Sequence, residues 1–314
     1  MLRHGQLSRR RKCLIPPCKA ILLLRCSTKR QGRSVPWSTP TKVSTSRNWT
    51  ASSGGRGFSS LTRNIFPRPT GGSRGLSLQF AESLGELGAR VVLSARKIGE
   101  LQEAQAHLNS LGIEADFIAA DGAVKIDIHR LANETLARLG HVDILVSNAG
   151  AVWSAPAEDH PFDAWDKVMD LSIRGFFLLT QQIGKRSMIP RGYGRIVDIA
   201  SIAGLGGNSP DAMSTIAYNA SKGGRREFHS GAGGRVGTAR DYRQCDRPGL
   251  FPFEHDARVA QQVGGADSVA AEVSLRRIGD SEDLKGAVAL FASDAGKHIT
   301  GQILAVDGGA TAVL

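Results

Sequence analysis

Cysteine is scarce: four in 314 residues, with Cys13, Cys18 and Cys26 near the start and Cys245 alone far downstream. That excludes a disulfide framework and a cysteine-built metal site, and it fits a reducing compartment. Acidic residues are missing altogether from residues 1–69, which hold 15 Lys/Arg. The other 245 residues hold 25 Lys/Arg against 29 Asp/Glu, so the net charge of +11 belongs to the leader and the body is slightly negative. A weakly acidic body carries no electrostatic footprint for nucleic acid. Long apolar runs are missing too. Ala20-Ile21-Leu22-Leu23-Leu24 is far too short to span a membrane. No internal repeat is present. An acid-free leader rich in Arg, Ser and Pro cannot bury enough apolar surface to fold, so 1–69 is expected to be disordered. Its composition also suits an organelle transit peptide, which would place the protein in an organelle matrix. A false start or out-of-frame translation is the preferred account, with the cytoplasm as the default location.

Tyrosine is rare as well, with only three in the chain, and one of them stands in the most informative motif. Tyr218 and Lys222 are four apart, so on a helix they share a face. A phenol has an ordinary pKa near ~10, and an adjacent ammonium stabilises the phenolate and lowers it. Ser201, seventeen residues earlier, adds a hydroxyl that can hold a carbonyl or alcohol oxygen. Together they read as general acid/base chemistry at a C–O centre.

Upstream, Thr70-Gly71-Gly72-Ser73-Arg74-Gly75-Leu76-Ser77 is a glycine-rich turn. It opens a helical pattern of Leu76, Phe80, Leu84 and Leu87, with Gly88 as its stop. Such a turn presents free backbone N–H groups and a helix dipole to a phosphate. Strands are expected at Val91–Leu93, Ala115–Ala119, Val142–Val146, Arg195–Ala200 and Gln302–Val306. Helices are expected between them at 98–111, 124–139 and 163–188. Alternation of this kind predicts a doubly wound α/β domain with a parallel sheet, from about 70 to 314.

With Asn148-Ala149-Gly150, Pro248-Gly249 and the ending Val306-Asp307-Gly308-Gly309, the chain resembles the short-chain dehydrogenases/reductases. The resemblance covers 70–222 and 274–314, and its wording is similar to gluconate 5-dehydrogenases and 3-oxoacyl-carrier-protein reductases. It implies a Rossmann-like fold and reversible hydride transfer between a nicotinamide and a carbonyl/alcohol pair, on a sugar acid or a 3-oxoacyl substrate. It also implies a tetramer or dimer. By the same resemblance Tyr218 is the acid/base, Lys222 lowers its pKa and binds ribose, and Ser201 orients substrate. Thr70, Gly71, Ser73, Arg74, Gly75 and Leu76 would hold the pyrophosphate. Asp121 would meet the adenine, and Asn148, Ala149, Gly150, Pro248 and Gly249 would border the cofactor. The second strand leads into Leu93-Ser94-Ala95-Arg96-Lys97, without the acid that would bind a ribose 2′-hydroxyl. Arg96, Lys97 and Arg74 therefore favour NADP(H) over NAD(H).

Several positions depart from that pattern. Ser77 stands where the third glycine of the turn is expected, and its side chain is expected to crowd the helix–strand approach. Ser172 stands where the catalytic asparagine is expected. The stretch before the turn is Ile65-Phe66-Pro67-Arg68-Pro69, and proline is excluded from central strands. After Lys222, 223–234 is glycine-rich where an apolar helix should run. Asp241–Arg247 has no apolar run to bury. Back-translated with GC-leaning codons and read one nucleotide later, 223–273 yields a stretch beginning VNFTRALAGEWGRHGITVNAIAPG, which reads as helix, strand and Pro-Gly turn. A pair of compensating frameshifts, in the gene or in its sequencing, is the preferred reading of 223–273, with a true divergent insertion as the alternative. The alternatives to an active enzyme are a non-catalytic product of a decayed gene and a dinucleotide-binding sensor without turnover.

Overall fold

The computed structural model describes residues 21–26, 75–207, 214–236, 240–248 and 266–312. Thr70, Gly71, Ser73, Arg74 and Gly249 lie outside them, as does Ile65–Pro69. Seven strands make one sheet: β1 Ile21–Cys26, β2 Ala89–Ala95, β3 Ala115–Ala119, β4 Ile144–Ser147, β5 Tyr193–Ile199, β6 Arg240–Pro248 and β7 Gln302–Val306. Their order is β3-β2-β1-β4-β5-β6-β7. The pairs β2–β3, β4–β5, β5–β6 and β6–β7 are parallel.

The exception is β1, which runs antiparallel to both β2 and β4. Ile21–Cys26, six residues of the leader expected to be disordered, fills the place between β2 and β4, and these belong to the same compact unit as the rest of the sheet. Ile21-Leu22-Leu23-Leu24 supplies an apolar run with every N–H intact.

Helices cover both faces. They are α1 Leu76–Glu86, α2 Ile98–Ser110, α3 Lys125–Leu139, α4 Phe162–Met169, α5 Phe176–Ile183, α6 Ile189–Arg191, α7 Ile216–Val236, α8 Ala266–Glu272 and α9 Lys285–Ala292. The expected 163–188 helix runs from Phe162 to Arg191 through two π-helical segments, Asp170–Gly175 and Gly184–Met188. Alternation along β2 shows why both faces are apolar. Val91 and Leu93 enter one core with Phe80, Leu84, Leu101, Leu108 and Phe291, while Val92 enters the other with Ile118, Leu131, Leu145, Leu179 and Ile196. Successive side chains on a strand point to opposite faces, and a sheet covered on both sides needs apolar residues at nearly every position.

Two expectations about the region after Lys222 are corrected. Helix α7 continues to Val236 through the glycine-rich stretch. Propensity is a weak prior that packing overrides. Here Phe228 stacks edge-on against Phe176 at 4.9 Å and Phe177 at 6.1 Å. The stretch containing Asp241–Arg247 also forms a strand, paired residue by residue with β5 and β7. Ser77 is corrected too. It is buried on α1 without crowding, because its hydroxyl accepts a hydrogen bond from Asn148 Nδ2 at 2.8 Å.

Candidate active site

The site forms at the carboxyl ends of β4 and β5 and along the first turns of α7. Ser201 follows β5 and caps a short 3-10 turn, Ile202–Gly204, by accepting from the Ala203 N–H at 3.2 Å. That turn lies directly on α7. A Cβ at Gly204 would sit 2.7 Å from the Lys222 carbonyl carbon and 2.8 Å from the Gly223 nitrogen. The close approach holds the Ser201 segment against the part of the helix that carries the tyrosine–lysine pair.

Lys222 is only 4 % exposed. Its Nζ donates to the Ile199 carbonyl at 2.6 Å and lies 5.5 Å from the centre of the Tyr218 ring. An ammonium that deep needs such a partner, since an uncompensated buried charge is costly. A Cβ added to Gly150 would be 3.7 Å from Lys222 Nζ and 3.8 Å from Ser172 Oγ. Gly150, Ser172 and Lys222 therefore converge on one spot. Ser172, on the π-helical segment, is fully buried, and among the described residues its hydroxyl has no hydrogen-bond partner.

The arrangement has a residue that sequence reasoning missed. Arg225, one turn beyond Lys222 on α7, is fully buried. It donates to the carbonyls of Ser172 and Ala149 at 2.6 Å and of Ser147 at 3.2 Å, and it pairs with buried Asp198 of β5. Its guanidinium also lies over the Phe176 ring at 5.0 Å. One side chain thus ties together the ends of β4 and β5 and the Ser172 segment. Nothing in the pattern around Arg225 marked it, since an arginine in a glycine-rich helix reads as solvated.

On the cofactor side, Gly75 caps α1 with φ 68°, a conformation that suits glycine, and Leu76 begins the helix. Arg96 follows β2 and is exposed, with Nη1 3.6 Å from Asp121 Oδ2. Asp121 holds its own turn by accepting from the Ala123 N–H at 3.0 Å, and its N–H donates to Asp127 at 2.8 Å. That donation, with help from Arg130, keeps the Asp127 carboxyl below the usual range. Asn148 and Ala149 stand at the end of β4 beside Gly150. Pro248 ends β6 opposite Val306. The structure therefore brings Ser201, Tyr218, Lys222, Ser172 and Gly150 into one neighbourhood. It places Gly75, Leu76, Arg96, Asp121, Asn148 and Ala149 at strand ends or helix starts.

The profile of the short chain dehydrogenase family matches residues 69–238. The chain belongs to that family. Gluconate 5-dehydrogenase of Gluconobacter oxydans is 33 % identical over 250 residues, covering 78 % of this chain and 94 % of that protein. The rhamnolipid-biosynthesis 3-oxoacyl-[acyl-carrier-protein] reductase of Pseudomonas aeruginosa is 29 % identical, covering 76 % of this chain and 93 % of its own. Among solved structures, a gluconate 5-dehydrogenase from Burkholderia cenocepacia, in complex with NADP and tartrate, superposes with a TM-score of 0.72. It is 28 % identical and covers 77 % of this chain and 93 % of that one. The protein is thus a short-chain dehydrogenase, an oxidoreductase acting on small alcohol and carbonyl compounds. Among the described residues no helix is long and apolar enough to cross a membrane.

Proposed function

We propose that this short-chain dehydrogenase interconverts a ketone and a secondary alcohol with NADP(H), using Tyr218 as the acid/base. The observation that carries the assignment is Lys222, buried one turn from Tyr218, hydrogen-bonded to Ile199 and facing Gly150. When bound, the nicotinamide supplies or accepts the hydride. In reduction Tyr218 donates its proton to the carbonyl oxygen, and the Lys222 charge stabilises the phenolate left behind. Ser201 holds the same oxygen. Ser172 lies near the lysine, and Asn148, Ala149, Pro248 and Gly249 would border the cofactor when it is bound. Gly75 and Leu76, with Thr70, Gly71, Ser73 and Arg74, would receive the pyrophosphate at the start of α1. Asp121 meets the adenine. The exposed Arg96 and the absence of a carboxylate on the residues leaving β2 favour the 2′-phosphate of NADP.

The catalytic domain is 70–314 together with β1, Ile21–Cys26, from the basic leader. The assembly is a homodimer or homotetramer, and the location is cytoplasmic. The substrate is a sugar acid or a 3-oxoacyl thioester, the classes named by the relatives above. The assay is NADPH consumption by the full chain with 5-keto-gluconate and, separately, with an acetoacetyl thioester. Turnover on one of them is expected. Tyr218→Phe should lower kcat by about 10²–10⁴-fold while NADPH still binds. Full turnover in Tyr218→Phe would exclude the mechanism.

A further inference from the structure

β6 lies inside the sheet, with β5 on one side and β7 on the other. Helices α7 and α9 both pack against it, one from each core. Its neighbour β5 is buried at six of its seven positions. A strand so covered should be a run of apolar and β-branched residues. Arg240-Asp241-Tyr242-Arg243-Gln244-Cys245-Asp246-Arg247-Pro248 instead carries five formal charges. Backbone geometry and residue chemistry therefore contradict each other along this one strand.

We infer that in the functional protein this strand is translated one nucleotide downstream of the frame that gives Arg240–Pro248. At five of the nine positions of β6 the genetic code restricts the outcome whatever codons are used. An aspartate codon is G-A-pyrimidine. Read one base later, ahead of the T that opens the tyrosine codon, position 241 becomes A-pyrimidine-T, which is Ile or Thr only. Position 242, from a tyrosine codon followed by either first base of arginine, is again Ile or Thr. Position 246 gives the same pair. Position 245 becomes G-pyrimidine-G, Val or Ala only. Position 244 becomes Asn or Ser. Both aspartates thus become β-branched residues, and the tyrosine and cysteine positions join them as Ile or Thr and Val or Ala. Ile, Val and Thr are the residues that fit a pleated, half-buried surface best. Charge-bearing Asp241 and Asp246 vanish under every codon assignment.

Family-like sequence resumes at Leu275, whose N–H bonds the Gly308 carbonyl at 3.0 Å. The shifted stretch therefore ends before that contact. It covers β6, at whose carboxyl end a doubly wound sheet offers its crevice to ligands. The inference rests on the sheet and the code, and stands whether or not Tyr218 is the acid.

The test is to purify the protein from the organism that encodes it and map residues 225–265 by peptide mass spectrometry. Peptides with Ile or Thr at 241, 242 and 246 and Val or Ala at 245 are expected. Peptides containing Asp241-Tyr242-Arg243-Gln244-Cys245-Asp246 would overturn the inference. Full chains made recombinantly in both frames supply a second readout. The shifted chain should be soluble and melt cooperatively, and the unshifted one should aggregate. Equal melting temperature and equal NADPH affinity in the two would also overturn it. Loss of ketone reduction in both, with the shifted peptide present in the native protein, would count against the proposed reaction and leave the frame inference intact.

Discussion

Arg96 is the residue on which cofactor choice turns. It is exposed just past β2, with its guanidinium 3.6 Å from Asp121. A charge-assisted hydrogen bond is worth about 1.5–3 kcal/mol, so Arg96→Ala should raise KM for NADPH by roughly 10- to 100-fold. KM for NADH should stay nearly unchanged, because it brings no phosphate to that place. Parallel KM determinations with the two cofactors check this. Equal losses for both would mean that Arg96 serves the turn and not the phosphate. At this scale much of the site was legible. Tyr218 and Lys222 declare themselves by an i,i+4 spacing, and Arg96 by the missing acid. Ser77 and Arg225 were not legible, because each depends on a partner far away in sequence, Asn148 for one and Asp198 for the other. A pattern read along the chain sees polarity but not the group that satisfies it.

Between elements, two glycines set how closely the site's supports approach. A Cβ at Gly175 would lie 1.9 Å from the Gly122 carbonyl oxygen, so the helix beyond Ser172 can touch the Asp121 turn only without a side chain. Gly204 does the same for the Ser201 turn against Lys222. Both obstacles are backbone and cannot swing aside. Overpacking of this kind costs typically about 1–3 kcal/mol. Gly175→Ala and Gly204→Ala should each lower the unfolding free energy, read from urea titrations, by an amount in that range. Gly204→Ala should in addition reduce kcat, since it pushes on the lysine's own peptide. Gly99→Ala on α2 is the control: nothing lies within 4 Å of the added methyl, and the change should be neutral or mildly stabilising, by about 0.4–1 kcal/mol. Helices α1, α2 and α3, the run from Phe162 to Arg191 and five of the strands were legible from period and alternation, with ends off by one to three residues for most of them, whereas α8 and α9 were not read. The π-helical segments were not, because they leave the apolar spacing of 163–188 almost unchanged.

For the whole molecule, acid stability and the leader are the open quantities. The Arg277 guanidinium, bonded to both Asp283 oxygens at 2.5 and 2.7 Å, holds that carboxyl down at about 2 from 3.8. A depressed acid pKa contributes stability that is complete above its unfolded value and fades as pH falls through the folded one. The contribution should therefore be present above about pH 4 and disappear between about pH 4 and 2. Urea midpoints of the wild type should exceed those of Asp283→Asn at pH 6 and converge with them near pH 2. The leader makes a larger claim. β1 lies between β2 and β4, so its backbone closes the ladder on both sides. Without it the sheet would split into a β2–β3 pair and a β4–β7 block, each with a new unpaired edge, and such edges template aggregation. Composition hid this, because six apolar-leaning residues inside a basic, acid-free stretch carry no sign of a partner sixty residues on. Deleting residues 1–27 should abolish cooperative melting and drive the chain into aggregates, whereas a leader supplied with the same net charge but lacking Ile21–Cys26 should not restore it. A soluble deletion variant with the wild-type melting temperature would show that another segment takes the place of β1.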